Sequence, residues 1–254
     1  FIDSSGTGLA FSEAKQWTDG TIYVAGRFTD FNGVASKSIV NFDVTNNGNV
    51  PLAWTGFYSG FDNLQGVPPI IYDFDISSGG IIYVSGNMTD YNSVAIGRVA
   101  ALNMNGSPEP VFMANVSTGF DGNAYSIRLN PSETKIAVGG SFNMFDVNVN
   151  PSVTVLNTNG TFDAGFASGG GALFAGLQSS IVEVEYDATG NIFAAGAFDS
   201  WGGSSALNLV KLSPAGTIDA TFDPGGAVNI IGNSLNSFFM TRGTITALPN
   251  SINK

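Results

Sequence analysis

Gly20-Thr21-Ile22-Tyr23-Val24-Ala25-Gly26-Arg27-Phe28-Thr29-Asp30-Phe31-Asn32 returns at an offset of 60 as Gly80-Ile81-Ile82-Tyr83-Val84-Ser85-Gly86-Asn87-Met88-Thr89-Asp90-Tyr91-Asn92. Two further copies, Lys135-Ile136-Ala137-Val138-Gly139-Gly140-Ser141-Phe142 and Asn191-Ile192-Phe193-Ala194-Ala195-Gly196-Ala197-Phe198, place a marker glycine at 26, 86, 140 and 196, with spacings of 60, 54 and 56. A second marker, Asn47-Gly48, Asn105-Gly106, Asn159-Gly160 and Ala215-Gly216, follows at spacings of 58, 54 and 56. Two markers in step over the chain define an internal repeat, and a fixed period of this kind is the mark of a repeat architecture.

Each unit reads as four strand segments. The first alternates, as in Ile181-Val182-Glu183-Val184-Glu185-Tyr186-Asp187, and ends in a tight turn such as Asp19-Gly20 or Thr189-Gly190, the pattern of a hairpin. The second, Thr21 to Phe28 and its copies, is apolar on both faces and predicts a strand buried on both sides. The third is Ile39-Val40-Asn41-Phe42, Val99-Ala100-Ala101-Leu102, Val153-Thr154-Val155-Leu156 and Leu209-Val210-Lys211-Leu212, β-branched and apolar. The fourth is short, as in Thr161-Phe162-Asp163-Ala164-Gly165-Phe166 and Thr217-Ile218-Asp219-Ala220-Thr221-Phe222. No segment carries a sustained helical period. A sheet with two apolar faces needs a neighbour on each. The expectation is therefore an all-β chain, a β-propeller of four-stranded antiparallel blades of about 56 residues. The blades are placed at about 9–62, 68–120, 123–168 and 179–224, with partial repeats at both ends and the last at 233–254. Phe1-Ile2-Asp3-Ser4-Ser5-Gly6 matches the tail of a unit, and the C-terminal stretch matches the first hairpin of a fifth. The expectation is a window on a longer repeat protein.

These residues carry a family resemblance. Gly-x-Ile-Tyr-Val-x-Gly-x-Phe-Thr-Asp-Tyr/Phe-Asn, followed by Leu-Asn-x-Asn-Gly-Thr-x-Asp-x-x-Phe, resembles the delta-sixty repeat, a kelch- and WD-like β-propeller unit of large bacterial secreted and phage-associated proteins. The likeness is best at residues 152–166 and 207–223, and Gly139-Gly140 resembles a kelch repeat more weakly. The first two units depart from the pattern, with Val50-Pro51-Leu52-Ala53-Trp54 and Ser107-Pro108-Glu109-Pro110-Val111-Phe112 in place of Thr-x-Asp-x-x-Phe. The resemblance implies an extracellular, cell-surface or virion setting and a structural or recognition role.

Composition narrows the chemistry. Of 254 residues, 43% are apolar and 30 are aromatic, enough for a substantial core. The formal charge is 9 − 20 = −11, so the chain lacks the basic stripe that phosphate contacts require, and no nucleic-acid partner is expected. With no His and no Cys, the commonest metal ligand, the usual general base near neutral pH and thiolate zinc sites are all missing. No run approaches the roughly 20 apolar residues of a membrane helix, and no membrane insertion is expected.

Two sets of residues remain as candidate binding sites. Along the first strand, alternate positions carry Glu13 and Lys15, Asp73 and Asp75, Ser126 and Arg128, Glu183 and Glu185. Residues i and i+2 share a face, so if this strand is the innermost of each blade, Asp73 with Asp75, or Glu183 with Glu185, lines a propeller channel as a carboxylate pair. Such a pair could hold a cation or act as acid and base, although Lys15 and Arg128 offer counter-charges. The turn after the second strand gives Asp30-Phe31-Asn32, Asp90-Tyr91-Asn92, Asp146-Val147-Asn148 and Asp199-Ser200-Trp201. Oxygen ligands there suit calcium and the rings Phe31, Tyr91 and Trp201 suit a pyranose face, while Asp and Asn equally serve to satisfy a tight loop's own backbone. No catalytic residue and no cofactor is expected beyond that possible structural calcium. The leading expectation is a non-catalytic module contacting other protein subunits, neighbouring repeats of a parent chain, or surface glycans. The rivals are a carbohydrate-active enzyme using the paired carboxylates and an intracellular adaptor propeller.

Overall fold

The computed structural model describes residues 10–31, 34–43, 60–62, 68–222, 238–241 and 244–247. Each of the four repeats builds a three-stranded antiparallel sheet with its second segment in the middle. We call the three strands lead, middle and third. They are Ala10–Gln16, Thr21–Arg27 and Ile39–Asp43 in the first repeat, and Ile71–Ile76, Ile81–Gly86 and Val99–Asn103 in the second. In the third repeat they are Ala124–Leu129, Lys135–Gly140 and Val153–Asn157, and in the fourth Ile181–Tyr186, Ile192–Gly196 and Leu209–Leu212. Near the end of the chain Phe238–Thr241 pairs antiparallel with Thr244–Ala247.

The middle strands are the most deeply buried elements, as their two apolar faces require. Ile82 and Val84, Ile136 and Val138, and Ile192 and Ala194 are all fully enclosed, and the interleaved Tyr83, Ala137 and Phe193 are buried as well. The lead strand carries a bulge at one recurring place. Its register on the middle strand slips between Phe11 and Glu13, between Ile71 and Asp73, and between Ile181 and Glu183. Two residues there oppose one, which bends the strand and re-aims the side chains that follow.

The marker glycine has a steric cause. A Cβ on Gly86 would lie 2.4 Å from the Ile70 carbonyl oxygen, and one on Gly196 would lie 2.1 Å from that of Ser180. In the second and fourth repeats the chain entering the lead strand passes too close to the end of the middle strand for any side chain. The same glycine donates its N–H to the carbonyl of Ser38, Arg98, Ser152 or Asn208. These four residues stand at the entry to the third strand, each with a φ between 60° and 69°.

The fourth segment departs from the expected strand. In the second, third and fourth repeats it makes one bridge each, Leu102 with Pro108, Leu156 with Phe162 and Leu212 with Ile218. It then turns away, because Asp163 and Asp219 each accept the N–H of the phenylalanine three residues on, Phe166 or Phe222. In the second repeat that turn continues as a helix, Pro110–Val116, in the stretch that breaks the repeat pattern. Glu109 caps it, accepting the Phe112 N–H at 2.6 Å, and Pro110 fixes the first turn. Phe112 and Val116 are its buried residues, and Phe112 meets Tyr83 edge to face at 5.5 Å.

The chain forms two compact units, residues 1–124 and 125–254, each holding two repeats. One apolar core in the first unit gathers Tyr23, Ala25 and Ile39 with Phe74, Ile82, Val84 and Leu102. One in the second gathers Ala137, Val153 and Val155 with Val184, Ile192, Ala194 and Val210. Each core therefore spans two repeats, as nearest-neighbour stacking requires.

Candidate functional site

Within each unit the lead strand of the later repeat stands beside that of the earlier one, and the charged positions meet there. In the first unit Lys15 Nζ lies 3.2 Å from Asp75 Oδ1 and 5.5 Å from the centre of the Phe74 ring. In the second, Arg128 Nη2 donates to Glu183 Oε1 at 3.0 Å and Arg128 Nε donates to Glu185 Oε1 at 2.7 Å. Ser126, buried beside them, donates its hydroxyl to Glu183 Oε1 at 3.3 Å and accepts the Val184 N–H at 3.1 Å. Asp73 is buried, and its Oδ1 accepts the Phe74 N–H at 2.7 Å. The two carboxylates of the fourth repeat thus share one guanidinium contributed by the third. The arrangement ties consecutive repeats together.

The turns after the middle strands are small hairpins with two-residue arms: Asp30–Phe31 with Val34–Ala35, Asp90–Tyr91 with Val94–Ala95, Met144–Phe145 with Asn148–Val149, and Ser200–Trp201 with Ser204–Ser205. Their registers correct the expected alignment. The recurring residue is the aromatic at 31, 91, 145 and 201, so Asp146-Val147-Asn148 and Asp199 do not occupy the places of Asp30-Phe31-Asn32 and Asp30. Asn32 itself lies outside the described residues.

The rings also point the wrong way for the expected stacking. Tyr91, Phe145 and Trp201 are buried. The Tyr91 hydroxyl donates to the Gly106 carbonyl, and Trp201 Nε1 donates to the Ser168 carbonyl at 2.9 Å. Phe31 stacks on Phe42 at 5.1 Å. Tyr91, Phe145 and Trp201 belong to the core and offer a pyranose no face, while Phe31 is half-buried.

The polar residues of these turns bond to nearby backbone and hydroxyl groups. Asn92 Oδ1 accepts the Gly60 N–H at 3.0 Å, Asp199 Oδ2 accepts the Ala175 N–H at 2.8 Å, and Asp30 and Asp90 each accept the hydroxyl of the preceding threonine. Among the described residues no three acidic side chains converge.

A third place was not singled out from the sequence. In the second unit a cleft of about 420 Å³ opens between the third and fourth repeats, with Lys135, Asp163, Val155, Tyr186, Thr189 and Pro214 in its walls. Lys135 Nζ lies 2.9 Å from Asp163 Oδ2 and donates to Asn157 Oδ1 at 2.7 Å. Asp163 Oδ1 accepts the Gly165 N–H at 3.2 Å. Burial, reinforced by the nearby Asp163 charge, raises the Tyr186 phenol above its ordinary pKa. The signal in the sequence is positional. Tyr186 ends a lead strand where the other repeats carry Gln16, Ile76 and Leu129, and Lys135 starts a middle strand where they carry Thr21, Ile81 and Asn191.

The family model described as "Domain of unknown function (DUF5122) beta-propeller" matches residues 18–43, 135–166 and 188–222. These are the middle and third strands of the first, third and fourth repeats. The helix-bearing second repeat is not matched. No curated protein matches the chain by sequence.

Among solved structures, the WD40 β-propeller domain of Doa1 is similar over 79% of this chain and 49% of its own, at 18% identity and a TM-score of 0.47. The extracellular domain of a one-component system from B. thetaiotaomicron is similar over 81% of this chain and 21% of its own, at 10% identity and a TM-score of 0.45. A gluconolactonase from Xanthomonas campestris is similar over 82% of this chain and 60% of its own, at 13% identity and a TM-score of 0.45. The chain therefore spans less than two thirds of the length of each. With antiparallel sheets repeating at the glycine spacing and a propeller family model on three of the four repeats, the fold is all-β and of the β-propeller class.

Proposed function

We propose that this chain is a non-catalytic structural or recognition module of a larger extracellular protein, displayed on a cell surface or a virion appendage. Its partners are other protein subunits, neighbouring repeats and surface glycans, and its work needs no cofactor. The observation that carries this reading is the Arg128 clamp on Glu183 and Glu185. The residues best suited to acid–base chemistry are engaged in joining repeats. Few lysines and abundant Asn, Ser, Thr and Gly fit an exposed setting. The delta-sixty resemblance supports the same setting.

The test is binding and turnover on one sample. Immobilised protein is presented with arrayed cell-surface glycans and with bacterial surface extracts, and the same glycans are incubated with protein in solution. Retention without release of reducing ends supports the module. Release of reducing ends that disappears on Glu183→Gln or Asp75→Asn would replace it with the carbohydrate-active enzyme.

A further inference from the structure

The geometry points to the cleft between the third and fourth repeats as a binding site for a neutral saccharide ring. The proposal deepens the recognition reading above and rests on it.

The first support is a comparison inside the chain. The first unit has the same frame, a first repeat followed by a second, and there four of the equivalent positions carry Trp17, Tyr23, Ile76 and Met104. Trp17, Ile76 and Met104 pack against its core, and the Tyr23 hydroxyl reaches the Met104 carbonyl at 3.5 Å. In the second unit the matching residues are Asn130, Tyr186, Pro214 and Ala137. Two large rings have become Asn130 and Ala137, and methionine has become proline. An open volume of about 420 Å³ lies there, within the range of about 300 to 1,000 Å³ of small-molecule sites.

The second support is the chemistry of the walls. Lys135 and Asp163 are paired at 2.9 Å, so the cleft carries one cation and one anion and favours no charged ligand. An ammonium donates and a carboxylate accepts, and the two together suit a pair of neighbouring hydroxyl groups. Tyr186 and Asp163 line the same cleft, and the Tyr186 hydroxyl makes no hydrogen bond among the described residues, so it can both donate to and accept from a ligand. The Tyr186 ring, Val155 and Pro214 offer an apolar wall for the C–H face of a pyranose.

The experiment is a titration of the isotopically labelled chain with methyl glycosides of glucose, galactose and mannose, followed by amide chemical shifts. At least one glycoside is expected to move the amides of Gly165, Thr189 and Gly190, with affinity about tenfold weaker in Tyr186→Phe. Asp163→Asn, which keeps the turn acceptor, is expected to weaken it similarly. Tyr186→Phe removes one oxygen atom, and an unchanged amide spectrum elsewhere verifies its fold. The proposal is overturned if no glycoside moves these amides or if Tyr186→Phe binds as well as the parent. Glycoside shifts confined to other residues overturn the site while the recognition reading stands. Failure of the module to bind any glycan or protein partner sinks both.

Discussion

Arg128 and Glu185 occupy the same position of the lead strand in consecutive repeats, and the guanidinium Nε donates to Glu185 Oε1 at 2.7 Å while Nη2 reaches Glu183 at 3.0 Å. All three side chains are at least three-quarters buried. Removing the cation strands two carboxylates beside each other, so Arg128→Ala is expected to destabilise the second unit by about 2 kcal/mol. That lies below the 3 to 5 kcal/mol of a fully enclosed pair because some solvent reaches these groups. Glu185→Gln keeps the shape and one acceptor and is expected to cost about 1 kcal/mol. Two carboxylates on one strand face would by themselves repel, and neutralising either would then stabilise. The shared guanidinium reverses that sign. Urea melts of the single and double variants measure the coupling, and additivity would dismiss the clamp.

The marker glycines bear on stability through space alone. Gly86→Ala and Gly196→Ala each force a methyl group against a backbone carbonyl oxygen, at 2.4 and 2.1 Å. Neither glycine has a positive φ, so the cost is steric overlap, expected at about 2 to 3 kcal/mol. A thermal midpoint unchanged from the parent in both would show that the lead strand can move away freely.

The middle strand tolerates no charge. Val84 is fully enclosed in the core of the first unit, and Val84→Asp places an unpaired carboxylate there at several kcal/mol against a total stability of about 5 to 15. The expected outcome is loss of cooperative unfolding in circular dichroism melts. Val84→Ala, which only leaves a cavity, should still fold.

The repeat, the middle strand and the antiparallel order were legible because they depend on periodicity. Glycine spacing and alternation survive in the sequence whatever the neighbours do. The fourth segment was not legible in the same way. Thr161 to Phe166 alternates like a strand, but the backbone turn at Asp163 ends it after one bridge. The helix Pro110–Val116 was visible only as a departure from pattern. Its cap, Glu109 before Pro110, is local chemistry that a repeat alignment discards. For the sites, sequence placed charges on one strand face and named Lys15 and Arg128 as counter-charges, yet it could not say that they act across repeats. The aromatic of the small hairpin was misjudged because a ring in a polar loop reads as exposed. Only the register shows that Tyr91 and Trp201 fold back onto the core.

Ser152 joins the third strand of one repeat to the approach of the next. It is fully buried with a φ of 69°. Its hydroxyl donates to the Ser179 carbonyl at 3.1 Å and accepts the Ala172 N–H at 3.2 Å. Ser38 does the equivalent work in the first unit, donating to the Pro69 carbonyl at 2.7 Å. Ser152→Ala leaves a buried N–H and a buried carbonyl short of a partner and is expected to cost about 2 kcal/mol. Ser152→Gly loses the same bonds but relieves the backbone, so it should be the milder of the two. Equal losses in both variants would assign the whole cost to the hydroxyl.

Tyr186 ties the cleft to alkaline stability. Burial first, and the Asp163 charge second, raise its phenol pKa in the folded chain, whereas in the unfolded chain it titrates near its ordinary value of about 10. Above that pH the unfolded chain has released the proton while the folded chain still holds it. The unfolded state then binds fewer protons, so stability is fully present below about pH 10 and falls as the pH rises past it. Tyr23, raised mainly by burial, adds to the same trend in the first unit. Tyr186→Phe removes one such group and should flatten the loss of stability between about pH 10 and 11.5 relative to the parent. Phenolate absorbance gives the independent check: one tyrosine fewer should lag behind the exposed phenols in the variant than in the parent. A parent whose tyrosines all ionise together near pH 10 would show that folding leaves the Tyr186 phenol unperturbed.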